Sequence, residues 1–301
     1  MGRVCRPPRP RGRTVAIPGF VLATVGALTL LFALAGIGDA QSPPRTYYVS
    51  LGDSLARGWQ PGSDGRTRQT TRGYVDAVGS YLAGQQANLL DVKFGCGGEN
   101  TVTIMRGGIC TYPTGSELAE AERFLRSHRG RVAAVTVNIG DNDVEHCLAN
   151  GTVDSACVNR AMAGIQTRLP AIAQRLVTAA GPGVKIVGLT DYDQFLAYWL
   201  RGAAGRRFAR QSVAVVKDLN DTADGIYRNA GIRVADATGA FATTDLTTRD
   251  ALPGHGRQPR AVVRVCRWTW ACSSPPIGFN DHANDTGYRV LGRVVIAALR
   301  R

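Results

Sequence analysis

This 301-residue sequence is poor in lysine and histidine, and several motifs that would indicate other functions are missing. It has three lysines, four histidines and no Cys-x-x-Cys pair, a composition that disfavours a zinc site. No dense basic run follows residue 41, so the net charge of +13 indicates a scattered basic surface and no nucleic-acid partner. The glycine-rich dinucleotide-binding pattern is also absent, because Asn100 stands where it needs a glycine. With 44% hydrophobic and 20% charged residues, the chain is typical of a folded globular protein.

The first forty residues differ in composition from the rest of the chain. Five arginines and no acid lie within residues 1–14, and the stretch from Val15 to Ile37 has no charged residue. This order is typical of a secretory signal, so we expect residues 1–40 to be a signal peptide cleaved after Ala40. The alternative is an uncleaved N-terminal membrane anchor, because the apolar stretch is long enough to span a bilayer. Residues 41–46 are predicted to be a linker to one domain over residues 47–301.

Six of the seven cysteines lie in the predicted domain, in three close pairs. Clustered cysteines in even number are typical of disulfides in an exported chain, so we predict pairing between nearest neighbours. The predicted disulfides are Cys96–Cys110, Cys147–Cys157 and Cys266–Cys272. The alternative is buried free thiols. Together with the leader, the cysteines predict a protein of the cell exterior or the cell envelope.

Strand-like and helix-like segments alternate along the domain, which predicts an α/β fold with a mainly parallel, five-stranded sheet. The predicted strands cover residues 47–51, 89–94, 132–139, 184–189 and 232–234. The predicted helices cover residues 73–82, 116–126, 158–180, 207–230 and 286–299, with an interruption or bend at Pro170. Residues 237–281 are less regular and are predicted to form an extended flap. Ligands of such sheets bind beyond the carboxyl ends of the strands, where we expect the functional residues.

Ser54 follows the first predicted strand within Gly52-Asp53-Ser54-Leu55. A serine on a tight turn after a strand is held with its hydroxyl exposed, and Gly52 permits the bend. These features make Ser54 a candidate nucleophile whose own backbone N–H points at a developing oxyanion. The alternative role is the N-cap of a helix. The segment differs from the Gly-x-Ser-x-Gly elbow of α/β-hydrolases, because Ala56 replaces the second glycine.

Further candidates lie after the later strands. Asn142, in Gly140-Asp141-Asn142-Asp143, can present its amide to an oxyanion, although this composition is also typical of a plain turn. A glycine after the second strand can offer a backbone N–H to the same point. His282, just before the last helix, is the histidine best placed by sequence to act as a general base.

Four short sequence segments, taken in their order along the chain, resemble the conserved blocks of the SGNH (GDSL) hydrolase family. They are Gly52-Asp53-Ser54-Leu55, Gly98-Glu99, Gly140-x-Asn142-Asp143, and His282 followed by Asn284 and Gly287. Two further segments, at 95–99 and 269–276, are similar to those of secreted actinobacterial-type esterases and lipases. The resemblance implies a flavodoxin-like three-layer α/β/α sandwich, Ser54 as nucleophile and His282 as general base. It also implies an oxyanion hole made of the Ser54 N–H, the Gly98 N–H and the Asn142 amide, with no cofactor and no metal.

The group that orients His282 is left open by the resemblance. The family often has an aspartate two or three residues before the histidine, but Asn280 and Phe279 stand at these positions. Asp281 is adjacent to His282, and neighbouring side chains usually diverge. Some family members use a main-chain carbonyl instead, so we favour the carbonyl of Phe279 over Asp281.

These inferences combine into the hypothesis of a secreted serine esterase or lipase that forms an acyl-enzyme on Ser54. The expected substrate is an ester of a lipid, a short-chain acid or an acetylated glycan. We expect a monomer that makes peripheral contact with a membrane or the cell wall. The alternatives are a glycan O-deacetylase of the same fold and a non-catalytic envelope protein that binds lipid or glycan.

Overall fold

The computed structural model describes residues 44–301. The predicted signal peptide, anchor and cleavage site over residues 1–40 therefore lie outside the described residues. Within the predicted linker, residues 44 and 45 have no regular secondary structure and Thr46 begins the first strand. Among residues 44–301, no helix combines the length and the apolar character needed to cross a membrane.

Nine strands and nine α-helices make up the described part of the chain. The strands are β1 (Thr46–Gly52), β2 (Trp59–Pro61), β3 (Thr67–Gln69), β4 (Leu89–Lys93), β5 (Val132–Asn138), β6 (Lys185–Leu189), β7 (Arg233–Ala235), β8 (Arg249–Leu252) and β9 (Gly256–Pro259). The helices are α1 (Tyr74–Ala83), α2 (Thr103–Arg106), α3 (Glu117–Ser127), α4 (Asp141–Val144), α5 (Ser155–Ala180), α6 (Gly202–Asn229), α7 (Ala237–Phe241), α8 (Arg260–Trp268) and α9 (Asp285–Arg300). Short 3₁₀ helices cover Glu145–Cys147 and Gln194–Leu200.

Five parallel strands form the central sheet, in the order β4-β1-β5-β6-β7. Each strand pairs in parallel with its neighbours, so every connection returns over a face of the sheet. The strand prediction is confirmed, and every predicted bound lies within one residue of the observed one. The order places β1 and β5 side by side in the middle of the sheet, and their carboxyl ends lead into the Ser54 and Asn142 segments.

Helices cover both faces of the sheet and make two hydrophobic cores. Along β1, Tyr48 belongs to the core that includes residues of α1 and α9, whereas Val49 and Leu51 belong to the core under α3 and α5. Alternate side chains of a strand point to opposite faces, so these residues require a layer of helices on each side. The three-layer α/β/α sandwich is therefore confirmed.

The predicted interruption of a helix at Pro170 and the predicted extended flap are wrong. Helix α5 runs without a break from Ser155 to Ala180, because Pro170 lies on its exposed side while Leu169 and Ile172 are fully buried beside it. Packing on both sides of the proline outweighs the hydrogen bond that its ring removes. Residues 237–281 do not form an extended flap; they hold α7, the antiparallel β8–β9 hairpin and α8. Helix α7 and the two strands of the hairpin are too short to leave a clear periodicity in the sequence.

The three predicted disulfides are confirmed. The bonded pairs are Cys96–Cys110, Cys147–Cys157 and Cys266–Cys272. The first ties the segment after β4 to the loop before α3, and the second ties the 3₁₀ helix Glu145–Cys147 to the start of α5. Two of the disulfides therefore brace segments that follow strands of the central sheet at their carboxyl ends.

Candidate active site

Ser54 lies on a tight turn directly after β1. Its carbonyl oxygen accepts hydrogen bonds from the backbone N–H groups of Arg57 and Trp59, each at 3.1 Å. No helix begins at this serine within the described residues, so the alternative N-cap role is wrong. Gly52 makes the bend at a φ of +129°, where a Cβ atom would lie 2.0 Å from the carbonyl oxygen of Asn138 on β5. Only glycine fits at this position, and the turn is held close to β5.

Glu117 stabilises the same turn through its side chain. Its Oε1 accepts the backbone N–H of Gly52 at 2.6 Å, and its side chain is fully buried. Burial raises the pKa of this carboxyl well above its usual range, although the hydrogen bond from Gly52 opposes the shift. From sequence, this glutamate indicates only the start of a helix, because acids are favoured there. Its role in fixing the turn depends on a contact over 65 residues that no local pattern indicates.

Asn142 joins three of the sequence blocks. It lies in α4, and its Nδ2 donates to the carbonyl oxygen of Glu99 at 2.9 Å and lies 3.4 Å from Oδ2 of Asp53. The second contact is long for a hydrogen bond, so one N–H of the amide remains available to a stronger acceptor. Gly98 precedes Glu99 at a φ of +83°, and its backbone N–H has no hydrogen bond within the described residues.

The neighbour of Asn142, Asp143, holds α4 in place. Asp143 is buried and accepts hydrogen bonds from the backbone N–H and the hydroxyl of Thr101 at 2.8 and 2.5 Å. Arg168 on α5 completes this arrangement with an ion pair at 3.1 Å. A plain turn at residues 140–143, the alternative given above, is therefore not what forms. The segment is the short helix α4, which is bonded to the segment after β4 and to α5.

His282 is buried, and its Nδ1 faces two acceptors. Oδ1 of Asn280 and Oδ1 of Asp281 each lie 3.1 Å from this nitrogen. The amide nitrogen of Asn280 donates to Thr67, which fixes the amide with its oxygen toward the ring. Because both neighbours are acceptors, Nδ1 carries the proton of the neutral ring and Nε2 is the unprotonated nitrogen.

The structure places Asp281, and not the favoured carbonyl of Phe279, beside Nδ1. No hydrogen bond joins that carbonyl to the ring within the described residues, and the side chain of Phe279 stacks on Phe195 with 6.2 Å between ring centroids. Burial is the largest single effect and pushes the pKa of Asp281 upward, but the hydrogen bond and the charge of His282 together outweigh it and hold the pKa below its usual value. Asp281 is therefore an anion next to the ring across the neutral pH range.

Nε2 of His282 is buried and has no hydrogen-bond partner within the described residues. The ring of Trp59 stacks on the imidazole, with 6.3 Å between centroids and 27° between the planes. Trp59 also closes the Ser54 turn through its backbone N–H, so one residue contacts both the base and the nucleophile segment. The imidazole therefore packs on the residue that closes the Ser54 turn.

One pocket collects the residues of these segments. It is lined by Asp53, Ser54, Leu55, Asp141, Asn142, Asp191, Tyr192, Gln194 and Asp281. Asp191, Tyr192 and Gln194 are not among the predicted site residues. Their position directly after β6 is the signal that would have indicated them, since the carboxyl ends of parallel strands meet at one edge.

The acids of this pocket repel one another. Burial is the largest cause that raises the pKa of Asp191 to about 6. Burial, followed by the charge of Asp191, raises the pKa of Asp53 and Asp141 well above their usual range. Burial and mutual repulsion thus hold part of these carboxyls in the neutral form, and the lining of the pocket offers no cationic side chain to an anionic group of a ligand.

Only one group of potential metal ligands occurs within the described residues, formed by His146, Cys147 and Cys157. The two cysteines are bonded to each other, so they have no thiolate to offer a metal ion.

Trp268 and Trp270 do not line the Ser54 pocket. The ring of Trp268 packs on Phe241, and the indole N–H of Trp270 donates to Gln60.

Replacing Asp281 with asparagine tests which group orients the base. The change removes the negative charge beside Nδ1, and we expect kcat/KM for an ester to fall about 100-fold, since the imidazolium loses its counter-charge. The measurement is the initial rate of chromogenic ester hydrolysis. Asp285→Asn is the control, because Asp285 is also an acid near the start of α9 but bonds to Gln60 and Arg72. A loss below threefold for Asp281→Asn would instead favour Asn280, whose Oδ1 also lies 3.1 Å from Nδ1.

Comparison with known proteins identifies the family and the fold of the chain. The sequence model of the GDSL-like lipase/acylhydrolase family matches residues 50–290. Among solved structures, an extracellular lipase from Streptomyces rimosus is similar with a TM-score of 0.53 and 21% identity, over 84% of this chain and 99% of that one. The lipase Lip_vut3 from a goat rumen metagenome is similar with a TM-score of 0.50 and 14% identity, over 84% and 97%. At these identities the two structures share the fold. No curated protein matches the chain.

Proposed function

The chain belongs to the GDSL-like lipase/acylhydrolase family, the SGNH hydrolases, and from this premise we propose that it is a secreted serine esterase that cleaves carboxylic esters through an acyl-enzyme on Ser54. Family membership supports an ester as the substrate. The basic and apolar leader and the three disulfides support export.

The state of His282 is the observation that carries the proposal. Nδ1 is held by two acceptors, while Nε2 is buried and unpartnered. A buried nitrogen without a hydrogen-bond partner lowers stability and therefore calls for an explanation. The explanation proposed for Nε2 is that it accepts a proton during the reaction. The Ser54 hydroxyl is the proton donor that the proposal assigns to it.

The reaction then proceeds in two halves. His282 Nε2 takes the Ser54 proton as Oγ attacks the ester carbonyl, and the oxyanion is stabilised by the Ser54 N–H, the Gly98 N–H and the Asn142 amide. His282 returns the proton to the leaving alcohol as the acyl-enzyme forms. Water then attacks the acyl carbonyl, with the same imidazole as base, and the acid is released. Asp281 stabilises the imidazolium in both halves.

Covalent labelling tests the assignment of the nucleophile. A fluorophosphonate probe should react with the purified protein, and peptide mass mapping should find the adduct on Ser54. A non-catalytic protein that binds lipid or glycan should not react. Absence of an adduct, or an adduct on another serine, would remove the basis of the proposed function. Parallel assays on aryl acetates and on an O-acetylated glycan separate a general esterase from a glycan deacetylase.

Asn142→Ala is expected to lower kcat on the order of 10²–10³-fold, because one oxyanion donor is lost. The measurement is the steady-state rate on a short-chain chromogenic ester, with KM determined separately. Asn159→Ala is the control, because Asn159 is an exposed asparagine on the outside of α5. A kcat within threefold of wild type would exclude the Asn142 amide from the oxyanion hole.

A further inference from the structure

A second cavity of about 330 Å³ adjoins the pocket that contains Ser54. Asn142 lines both spaces, so a substrate whose carbonyl reaches the Asn142 amide can extend into this cavity. Its remaining walls come from the segment after β4, the 3₁₀ helix Glu145–Cys147 and α5. The proposed mechanism assigns no role to this cavity.

The cationic groups of the cavity differ in whether they have partners. Arg168 is bound to Asp143 and to the hydroxyl of Thr101, so its charge is already balanced. Arg160 is exposed and makes no hydrogen bond, ion pair or ring contact within residues 44–301. His146 is a further exposed group on the wall. The lining has one acid, Asp143, and this acid pairs with Arg168. The guanidinium of Arg160 therefore has no acid in the lining to pair with.

The Arg160 side of the cavity is held rigidly. The disulfide Cys147–Cys157 joins the 3₁₀ helix to α5, and Cys157 lies three residues before Arg160 on the same face of the helix. Asp154 caps the start of α5 through the backbone N–H of Cys157 at 3.0 Å. The backbone at Arg160 is therefore held in place before any ligand binds, which lowers the entropy that the protein loses on binding.

We propose that this cavity is a subsite for an anionic oxyacid group, a phosphate or a carboxylate, carried by the ester substrate. Guanidinium groups match the oxygens of both anions, and an unpaired one beside a cavity has its donors available. The lining of the pocket on the other side of Asn142 has four acids and no cationic side chain, so the Arg160 side is where an anionic group of the substrate finds an opposite charge. This inference rests on the proposed esterase function and names the substrate class of the same site.

The test compares three aryl acetates that differ in one para substituent. They are para-acetoxybenzamide, which is neutral, para-acetoxybenzoate, which carries a carboxylate, and para-acetoxyphenyl phosphate. For wild type and each variant, kcat/KM is expressed as the ratio of anionic to neutral ester. We expect Arg160→Ala to lower this ratio about fivefold and Arg160→Glu to lower it further. Arg207→Ala should leave the ratio at the wild-type value, because Arg207 is an exposed, unpartnered arginine of α6 outside the cavity.

Each outcome bears on the proposal. A larger effect of Arg160→Ala on the phosphate or on the carboxylate ester identifies the preferred anion, and either supports the subsite. An unchanged ratio in Arg160→Ala, or an equal change in Arg207→Ala, overturns it. In wild type, raising the salt from about 0.05 M to about 0.5 M should lower the ratio, which provides a test that does not depend on any variant folding. If no ester is hydrolysed and Ser54 does not react with the fluorophosphonate, the esterase function itself has failed.

Discussion

Ser54→Ala is expected to lower kcat/KM for a short-chain chromogenic ester on the order of 10⁴–10⁶-fold, with no loss of thermal stability. The variant removes only the hydroxyl oxygen, while the turn is held by backbone bonds to the Ser54 carbonyl and by Gly52. What remains is the rate that the oxyanion donors supply to an attacking water. The measurement is the initial rate of purified protein, normalised to the total protein concentration determined by absorbance.

Ser63→Ala is the matched control, because Ser63 is an exposed serine of the loop between β2 and β3. Its activity and melting temperature should equal those of wild type. The prediction is contradicted if Ser54→Ala retains more than a few per cent of the activity after a second, independent purification. In that case another nucleophile performs the reaction.

His282→Ala is expected to cause a loss of similar size, on the order of 10⁴–10⁶-fold in kcat/KM, since no other base reaches the serine hydroxyl in the proposed mechanism. The residual rate should rise with hydroxide concentration, because the proton must then be taken by the solvent. The measurement is a pH series of ester hydrolysis for wild type and variant. Nearly all of the fluorophosphonate reactivity of Ser54 should also be lost.

His255→Ala serves as the control for this change. His255 lies at the exposed turn between β8 and β9, away from the residues that line the Ser54 pocket. It should leave the pH series unchanged. A rate for His282→Ala within tenfold of wild type would show that the unpartnered Nε2 does not act as the base.

The fold and the four sequence blocks were predictable because each depends on local signals. Apolar β-branched runs indicate the strands, and their order along the chain places Ser54 after β1 and Asn142 after β5. Since parallel strands end at one edge, the sequence was sufficient to predict that these segments meet. The disulfides followed from the close spacing of their cysteines.

Contacts between distant segments were not predictable in the same way. The orientation of His282 depends on Thr67, 213 residues before Asn280, which turns the Asn280 oxygen toward the ring. Asp281 reaches the ring of its own neighbour, an arrangement that the usual divergence of adjacent side chains argues against. Helix α7 and the β8–β9 hairpin were missed because each of their elements has too few residues for a periodic pattern.

The single amide of Asn142 has a consequence for how activity appears as the protein folds. It binds the Glu99 carbonyl 43 residues away and approaches Asp53, 89 residues away, while the proposed base lies within the last twenty residues of the chain. Contacts over such separations form late, because long loops must close first. Ester hydrolysis during refolding should therefore begin only when the complete sheet has assembled, and an incomplete chain still being synthesised should be inert toward esters.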